Sequence, residues 1–300
     1  MRKFKYHRTI VLPLALLCLC LFSATSSGAP EYEGPDIQII GTSFYQDLEF
    51  EYQRYSYQLD ALDNGVPAII LENLPDNLSD ITNNTQRKNV FFKALLPMVL
   101  LANDEIRFER RKLLNIQRQI SRNQPLDEAQ QEIVARLAAH YKVKMSPGNQ
   151  QKTVSKLLRR VDIIPADLAL AQAANESAWG TSRFSRLANN IFGEWTFKKG
   201  AGIVPTGRPV GATYEVQKFA TVYDSVRSYL HNLNTHRAYS QLRNIREGMR
   251  KIGKSPDGLK LAEGLIHYSS RGEDYVRELQ TMIRGNRLER FTSAKLRTSS

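Results

Sequence analysis

The sequence predicts a mainly α protein of the α+β class with a small β hairpin lobe, and three observations carry that prediction. Apolar residues recur at a spacing near 3.6, the helical period, along several stretches from Asp80 to Gly285. One short stretch, Thr213 to Phe219, alternates as a strand does, and it follows a loop-rich region containing Gly193, Gly200, Gly202, Gly207 and Gly211. With 300 residues, 42% of them apolar and 24% charged, the chain can bury a substantial core.

The chain opens on Arg2, Lys3, Lys5 and Arg8, continues through an almost wholly apolar run from Ile10 to Phe22, and then reaches Ser23, Ala24, Ser26, Ser27 and Gly28. That is the layout of a secretory signal over residues 1–28. The apolar run falls short of the roughly 20 residues a bilayer span needs, which favours cleavage between about residues 24 and 28. The alternative is an uncleaved anchor, which would then be the chain's membrane contact. Cys18 and Cys20 both lie inside this run, each after a leucine where a lipidated cysteine needs a small residue. The mature chain is then cysteine-free, with no disulfide and no thiolate metal site, and is expected in the periplasm or cell envelope.

Residues 29–79 are rich in Tyr, Glu, Gln and Gly with no sustained apolar period, so a flexible or loosely docked segment is expected there, with Tyr52, Tyr55 and Tyr57 as pins. Residues 80–149 read as a helical region. A long pattern runs through Phe91, Leu95, Met98, Leu101, Ile106, Leu113 and Ile120, with a kink expected at Pro97, and a second helix over Leu126 to Tyr141 follows Pro125. After the break at Ser146, Pro147 and Gly148, a catalytic domain is expected over 150–290. Its helices span Lys152 to Val161, Pro165 onward, Asp224 to His236, Gln241 to Ile252, Gly258 to Tyr268 and Glu273 to Gly285. A basic, disordered tail is expected over 291–300.

Charge is unevenly distributed. Residues 151–300 hold 25 Lys and Arg against 13 Asp and Glu, whereas residues 29–150 hold 13 against 17. A basic half implies either an ordinary solvated surface or an anionic partner. In an exported protein that partner is anionic cell-wall polymer and not nucleic acid. Past the leader the histidines are His140, His231, His236 and His267, without ligand-type spacing, so neither a metal nor another cofactor is expected.

The segment LALAQAANESAWG, Leu168 to Gly180, reads as a helix whose Ala169, Ala171, Ala173 and Ala174 let neighbouring helices approach closely. Glu176 lies in its last turn, where the negative helix end disfavours a second negative charge and raises a carboxyl pKa. A carboxyl kept protonated near neutral pH suits a general acid that protonates a glycosidic oxygen. From this helix alone, a glutamate that merely caps helix contacts is an equal reading. Trp179 is expected as an apolar wall beside it.

The run AQAANESAWGTSRFSRLANNIFGEW, residues 171–195, resembles the signature of the glucosaminidase family within the lysozyme-like superfamily, whose catalytic glutamate takes the Ala-Ala-x-Glu-Ser position. That position is Glu176. Asn189, Asn190, Phe192 and Gly193 resemble the family's turn lining the glycan cleft, and Phe219, Tyr223, Ser225, Val226 and Tyr229 its strand-into-helix step. Tyr268, Ser269, Gly272 and Tyr275 resemble its final tyrosine motif, so the likeness spans roughly residues 150–285. It implies a lysozyme-like catalytic domain that hydrolyses the β-1,4 bond after N-acetylglucosamine in peptidoglycan glycan strands, an endo-β-N-acetylglucosaminidase.

The resemblance further implies an active-site tyrosine, Tyr268, and a second acid about forty residues after the first. Glu215 is the candidate for that acid. Pro205, Gly207 and Pro209 depart from the family's longer acidic turn, so Glu194, or no second acid, stays open. Asn190, Phe192, Trp195, Tyr275 and Trp179 are the expected substrate contacts, the aromatics either stacking on sugars or simply packing. A lytic transglycosylase and a non-catalytic peptidoglycan-binding scaffold remain as rival functions. The helices over 80–149 are a possible surface for an envelope protein partner.

Overall fold

The computed structural model describes residues 34–298, so the leader over 1–28 lies outside the described residues. From residue 34 the chain forms β1 (Gln38–Ile40), α1 (Tyr45–Arg54) and β2 (Ile69–Leu71), and the two strands pair in parallel with Gln38 opposite Ile69. The loosely docked segment expected over 29–79 is, in its described part, firmly packed. Leu48, Tyr52, Tyr57, Val66, Ile69 and Leu71 are all buried. These side chains enter the core one or two at a time from turns and short elements, which leaves no period to read in the sequence.

The long helix α2 (Asn84–Ser121) begins after Asn83, whose side chain accepts the Gln86 amide, and continues through Pro97 without interruption. Its half from Val90 to Asn103 is almost entirely buried, as expected of a helix that forms the spine of a domain. Next come α3 (Glu128–His140), opened by a capping box between Asp127 and Gln130, and α4 (Gln150–Arg160), capped by Asn149. The small-residue helix α5 (Ala166–Ser177) packs against α2, and every residue from Ala166 to Ala174 is buried.

Beyond α6 (Arg183–Ala188) lies the small lobe, an antiparallel sheet of β3 (Trp195–Thr196), β4 (Gly202–Ile203) and β5 (Glu215–Gln217), with β5 in the middle. Thr196 stands opposite Glu215, and Ile203 opposite Val216. Helices α7 (Val222–Thr235), α8 (Ser240–Lys251), α9 (Gly258–Ala262) and α10 (Glu273–Gly285) complete the body. Helices α9 and α10 and a 3-10 turn at Leu288–Phe291 pack on α5. This is the mainly helical architecture with a small sheet lobe that a lysozyme-like domain requires.

The basic tail is not disordered over its described part. Phe291 and Ala294 are buried, the Val66 amide donates to the Lys295 carbonyl at 2.8 Å, and the Arg297 amide donates to the Val66 carbonyl at 2.9 Å. Arg297 also donates from Nε to the Gly65 carbonyl. Backbone pairing overrides the charge that made the tail read as solvated.

Part of the positive charge of this half is internal scaffolding. Arg246, 1% exposed, donates to the carbonyls of Arg159, Arg160, Asp162 and Ile163, which satisfies the open end of α4. Arg250 makes two hydrogen bonds to the buried Asp162 carboxylate, at 3.0 and 2.8 Å, and Arg110 lies 3.5 Å from it. These guanidinium groups hold the Asp162 carboxyl below the usual range against the opposing effect of its burial. Arg243 caps α7 in the same manner through the Leu233 and His236 carbonyls. Truncating Arg246 leaves four carbonyls and a buried carboxylate short of donors, so Arg246→Ala is expected to cost about 3–5 kcal/mol in urea denaturation. A loss below about 1 kcal/mol would show that the α4 end is satisfied without it.

Candidate active site

Glu176 owes its position to α5. Its helix is sealed on all sides, so the last turn is fixed, and the chain leaves it through a turn in which Ala178, Trp179 and Gly180 all have positive φ, at 50°, 60° and 79°. Left-handed backbone costs a non-glycine residue about 1 kcal/mol, so two such residues in succession need strong anchoring. Ser177 supplies part of it, donating to the Ala173 carbonyl at 2.6 Å and accepting the Gly180 amide at 2.8 Å. Gly180 is required as glycine, since a Cβ there would press on Leu74, Leu78 and Phe91.

Trp179 supplies the rest of the anchor. Its ring packs edge-on to Phe91 and Phe92 at 5.9 and 5.4 Å, with the Lys88 ammonium 4.8 Å above it. It therefore clamps the turn to α2 and is not among the residues lining the cleft beside Glu176. The left-handed backbone redirects it, a feature that helical spacing does not announce.

A hydrogen-bond chain with one direction ends on Glu176. Tyr229 donates to Gln172 Oε1 at 2.6 Å, Gln172 Nε2 donates to the Tyr275 hydroxyl at 2.9 Å, and Tyr275 donates to Glu176 Oε1 at 2.7 Å. Because Gln172 already donates to the Tyr275 oxygen, the tyrosine proton is committed to the carboxyl. Glu176 Oε1 is thus an acceptor, and the carboxylic proton belongs on Oε2. Burial pushes the Glu176 pKa up, only partly offset by hydrogen bonds from Tyr275 and Asn175 and by the charge of Arg271.

The cleft at Glu176 encloses about 420 Å³. Phe192, Gly193, Glu194 and Trp195 come from the loop entering β3; Ser228, His231, Asn232 and Thr235 come from α7; Lys142, Tyr239 and Tyr268 complete it. A larger hollow of about 810 Å³ beside α1 shares no residue with it. Phe192 stacks on Tyr229 at 3.8 Å, and Tyr268 stacks on Tyr275 with ring planes 3° apart while donating to the Phe192 carbonyl at 3.0 Å. Trp195, 54% exposed, stands edge-on to Tyr214 and presents indole surface at the rim.

The other expected contacts are distributed unequally. Tyr275 is buried and reaches Glu176 directly, whereas Asn190 acts through the backbone. Its amide donates to the carbonyls of Glu194 and Gln217 and accepts the Glu194 amide at 2.9 Å, which fixes the loop to β5. Glu215 does not line the cleft. Its two oxygens are taken by the amides of Gly200 at 3.0 Å and Gly202 at 2.9 Å, which holds its carboxyl below the ordinary range and ties the β4 loop together.

The carboxyl that does share the cleft with Glu176 is Glu194. Ser228 donates to its Oε2 at 2.9 Å, while Oε1 is buried with no partner among the described residues. Burial holds the Glu194 pKa up at about 7. The α7 contribution was readable without a structure: Ser228, His231, Asn232 and Thr235 follow i, i+3, i+4, i+7, a polar stripe on one helix face. Among the described residues no group of three His, Cys, Asp or Glu converges as a metal site would, and no helix is long and apolar enough to cross a membrane.

An unfolded glutamate titrates near 4.5, so Glu194 binds its proton more tightly in the folded chain. That stabilisation is fully present below about pH 4.5 and lost as pH rises through about 7. Glu194→Gln removes the charge, and its melting temperature is expected to exceed that of the unsubstituted protein at about pH 8 by a few degrees and to converge with it at about pH 4.5. Asp167, held up at about 6 by burial beneath Gly258, sustains a smaller pH dependence in both proteins. Parallel melting curves across that range would contradict the buried-proton account.

Comparisons with known proteins place the chain in a family. A family model described as mannosyl-glycoprotein endo-beta-N-acetylglucosaminidase, the glucosaminidase family, matches residues 151–288, from α4 to the turn after α10. "Protein bax" of Escherichia coli (strain K12) is 35% identical over 216 residues, covering 71% of this chain and 74% of that protein. No solved structure gives a significant match. With Glu176 on its enclosed helix inside the matched region, the chain belongs to the glucosaminidase family, in its bacterial Bax group.

Proposed function

We propose that this protein is an exported peptidoglycan hydrolase that cleaves the β-1,4 bond after N-acetylglucosamine, with Glu176 as the general acid. The observation that carries the reading is the Glu176 carboxyl itself, half-buried at the cleft and held by Tyr275 in a chain of the glucosaminidase family. Burial favours its protonated form, the form a general acid needs, and the Tyr229–Gln172–Tyr275 chain fixes which oxygen carries the proton.

In this mechanism Glu176 gives its proton to the leaving glycosidic oxygen as the bond to the anomeric carbon breaks and positive charge develops on the sugar ring. Tyr268 lines the cleft with a phenol whose pKa is raised by burial, so it meets the sugar as a neutral hydroxyl and aromatic surface, while the buried Tyr275 stacks against it and acts through Glu176. Trp195 at the rim and Phe192 in the floor offer apolar surface to a sugar face. Lys142 supplies a positive charge at the cleft, suited to the lactyl and peptide carboxylates of peptidoglycan. Export to the envelope, by the leader over 1–28, brings the protein to that polymer.

Digestion of purified peptidoglycan, with soluble products read by mass spectrometry, is expected to give reducing N-acetylglucosamine ends with the unsubstituted chain, and Glu176→Gln is expected to lower turnover by about 10²–10⁴-fold. Anhydro-muramic products would make the protein a lytic transglycosylase, free stem peptides an amidase, and an intact sacculus with retained binding a scaffold. Tyr275→Phe removes a hydrogen bond that favours the ionised form of Glu176, so its pKa rises further. The alkaline limb of the pH–rate profile is then expected to move to higher pH while the maximal rate falls. A limb that stays in place or moves down would place the tyrosine outside the control of this proton.

A further inference from the structure

A carboxyl on the cleft wall with a buried, unpartnered oxygen is an unsatisfied acceptor, and such groups in a folded protein call for a function or a missing partner. Glu194 is in that state. Its backbone is locked by Asn190 on both the amide and the carbonyl side, so the loop does not drift, and Ser228 on α7 holds one oxygen in place. The other oxygen has nothing to accept from among the described residues. The groups around Glu194 in the cleft are Glu176, Lys142, His231, Tyr239 and Tyr268, together with neutral polar residues of α7.

Glu215 presents the opposite case. Both of its oxygens accept backbone amides within the sheet lobe, and it is absent from the cleft lining. To act on a substrate it would have to abandon Gly200 and Gly202, and the β4 loop with them.

Resting on the glycosidase reading above, we propose that Glu194, and not Glu215, is the second carboxyl group of the reaction, the general base that takes a proton from the attacking water. The step balances within the cleft. Glu176 transfers its proton to the leaving oxygen as the bond from the anomeric carbon to that oxygen breaks. The water oxygen bonds to the anomeric carbon, and the released water proton passes to the Glu194 carboxylate. The two glutamates thereby exchange protonation states, and solvent restores them before the next turnover.

The test uses the full mature chain, purified peptidoglycan, and the variants Glu176→Gln, Glu194→Gln, Glu194→Ala and Glu215→Ala, each checked by thermal melting. Glu194→Gln is expected to lose about 100-fold or more of the release of reducing ends while remaining folded. Glu194→Ala opens space for a small external nucleophile, so added sodium azide is expected to restore turnover and yield a glycosyl azide, visible by mass. Glu215→Ala is expected to melt at lower temperature and to gain nothing from azide. Retention of activity within about threefold by both Glu194 variants, while Glu176→Gln is inactive, would overturn the assignment and leave the glycosidase reading standing. A folded Glu194→Ala that is inactive and unmoved by azide would also overturn it, by making Glu194 a positioning residue. Absence of any cleavage by the unsubstituted chain would instead overturn the glycosidase reading on which the assignment rests.

Discussion

A helix enclosed on every face has no freedom in where its last turn points, and the site depends on that property of α5. Its alanines let α2, α9, α10 and the turn at Leu288–Phe291 close around it, and Leu168 and Leu170, fully buried, each contribute about 1.5–3 kcal/mol to keeping it there. The same enclosure strips water from Gln172 and Tyr275 and so obliges them to satisfy one another. The hydrogen-bond chain that ends on Glu176 follows from packing: three buried polar groups in a row have a single arrangement in which every donor finds an acceptor.

The molecule carries features that cost stability, and they gather at the cleft. Two non-glycine residues in left-handed backbone follow Glu176, and two carboxyls have their pKa raised by burial, one with an oxygen that has no partner among the described residues. A chain selected for stability alone would place a methionine or leucine at 194. The compensation lies elsewhere, in the Asp162–Arg246–Arg250 cluster, the capping boxes of α3 and α7, and the clamp of Trp179 on Phe91 and Phe92. Strain held at a site by rigid surroundings is the ordinary signature of pre-organisation.

Legibility in the sequence followed physical rules that differ from region to region. The long helices were readable because one face of each is buried, and the lobe was announced by its glycines and by the alternation at Thr213 to Phe219. The place of Glu176 in the last turn of α5 was readable from the run of small residues before it, whereas its chemistry came only from the family resemblance. The docking of residues 34–79 and of the C-terminal tail was not, since both are secured by short parallel pairings and isolated side chains that leave no period. Trp179 was misplaced because positive φ turns its ring toward α2. Glu215 and Glu194 are indistinguishable by residue type, and only the hydrogen bonds that occupy one and spare the other separate them. The polar stripe of α7 is legible as a spacing but not as a cleft wall, since serine, asparagine and threonine on a helix face resemble ordinary solvated surface.

Burial raises the pKa of both cleft carboxyls, and titration of carboxyl-labelled protein by 13C NMR, with Glu176→Gln and Glu194→Gln to assign the signals, tests this directly. The account predicts that the Glu194 signal titrates at about 7 and that Glu176 titrates above the ordinary 4.5 of a glutamate. Two signals that titrate at or below that ordinary value would mean that water reaches both carboxyls, and the enclosed-acid account of this cleft would be wrong.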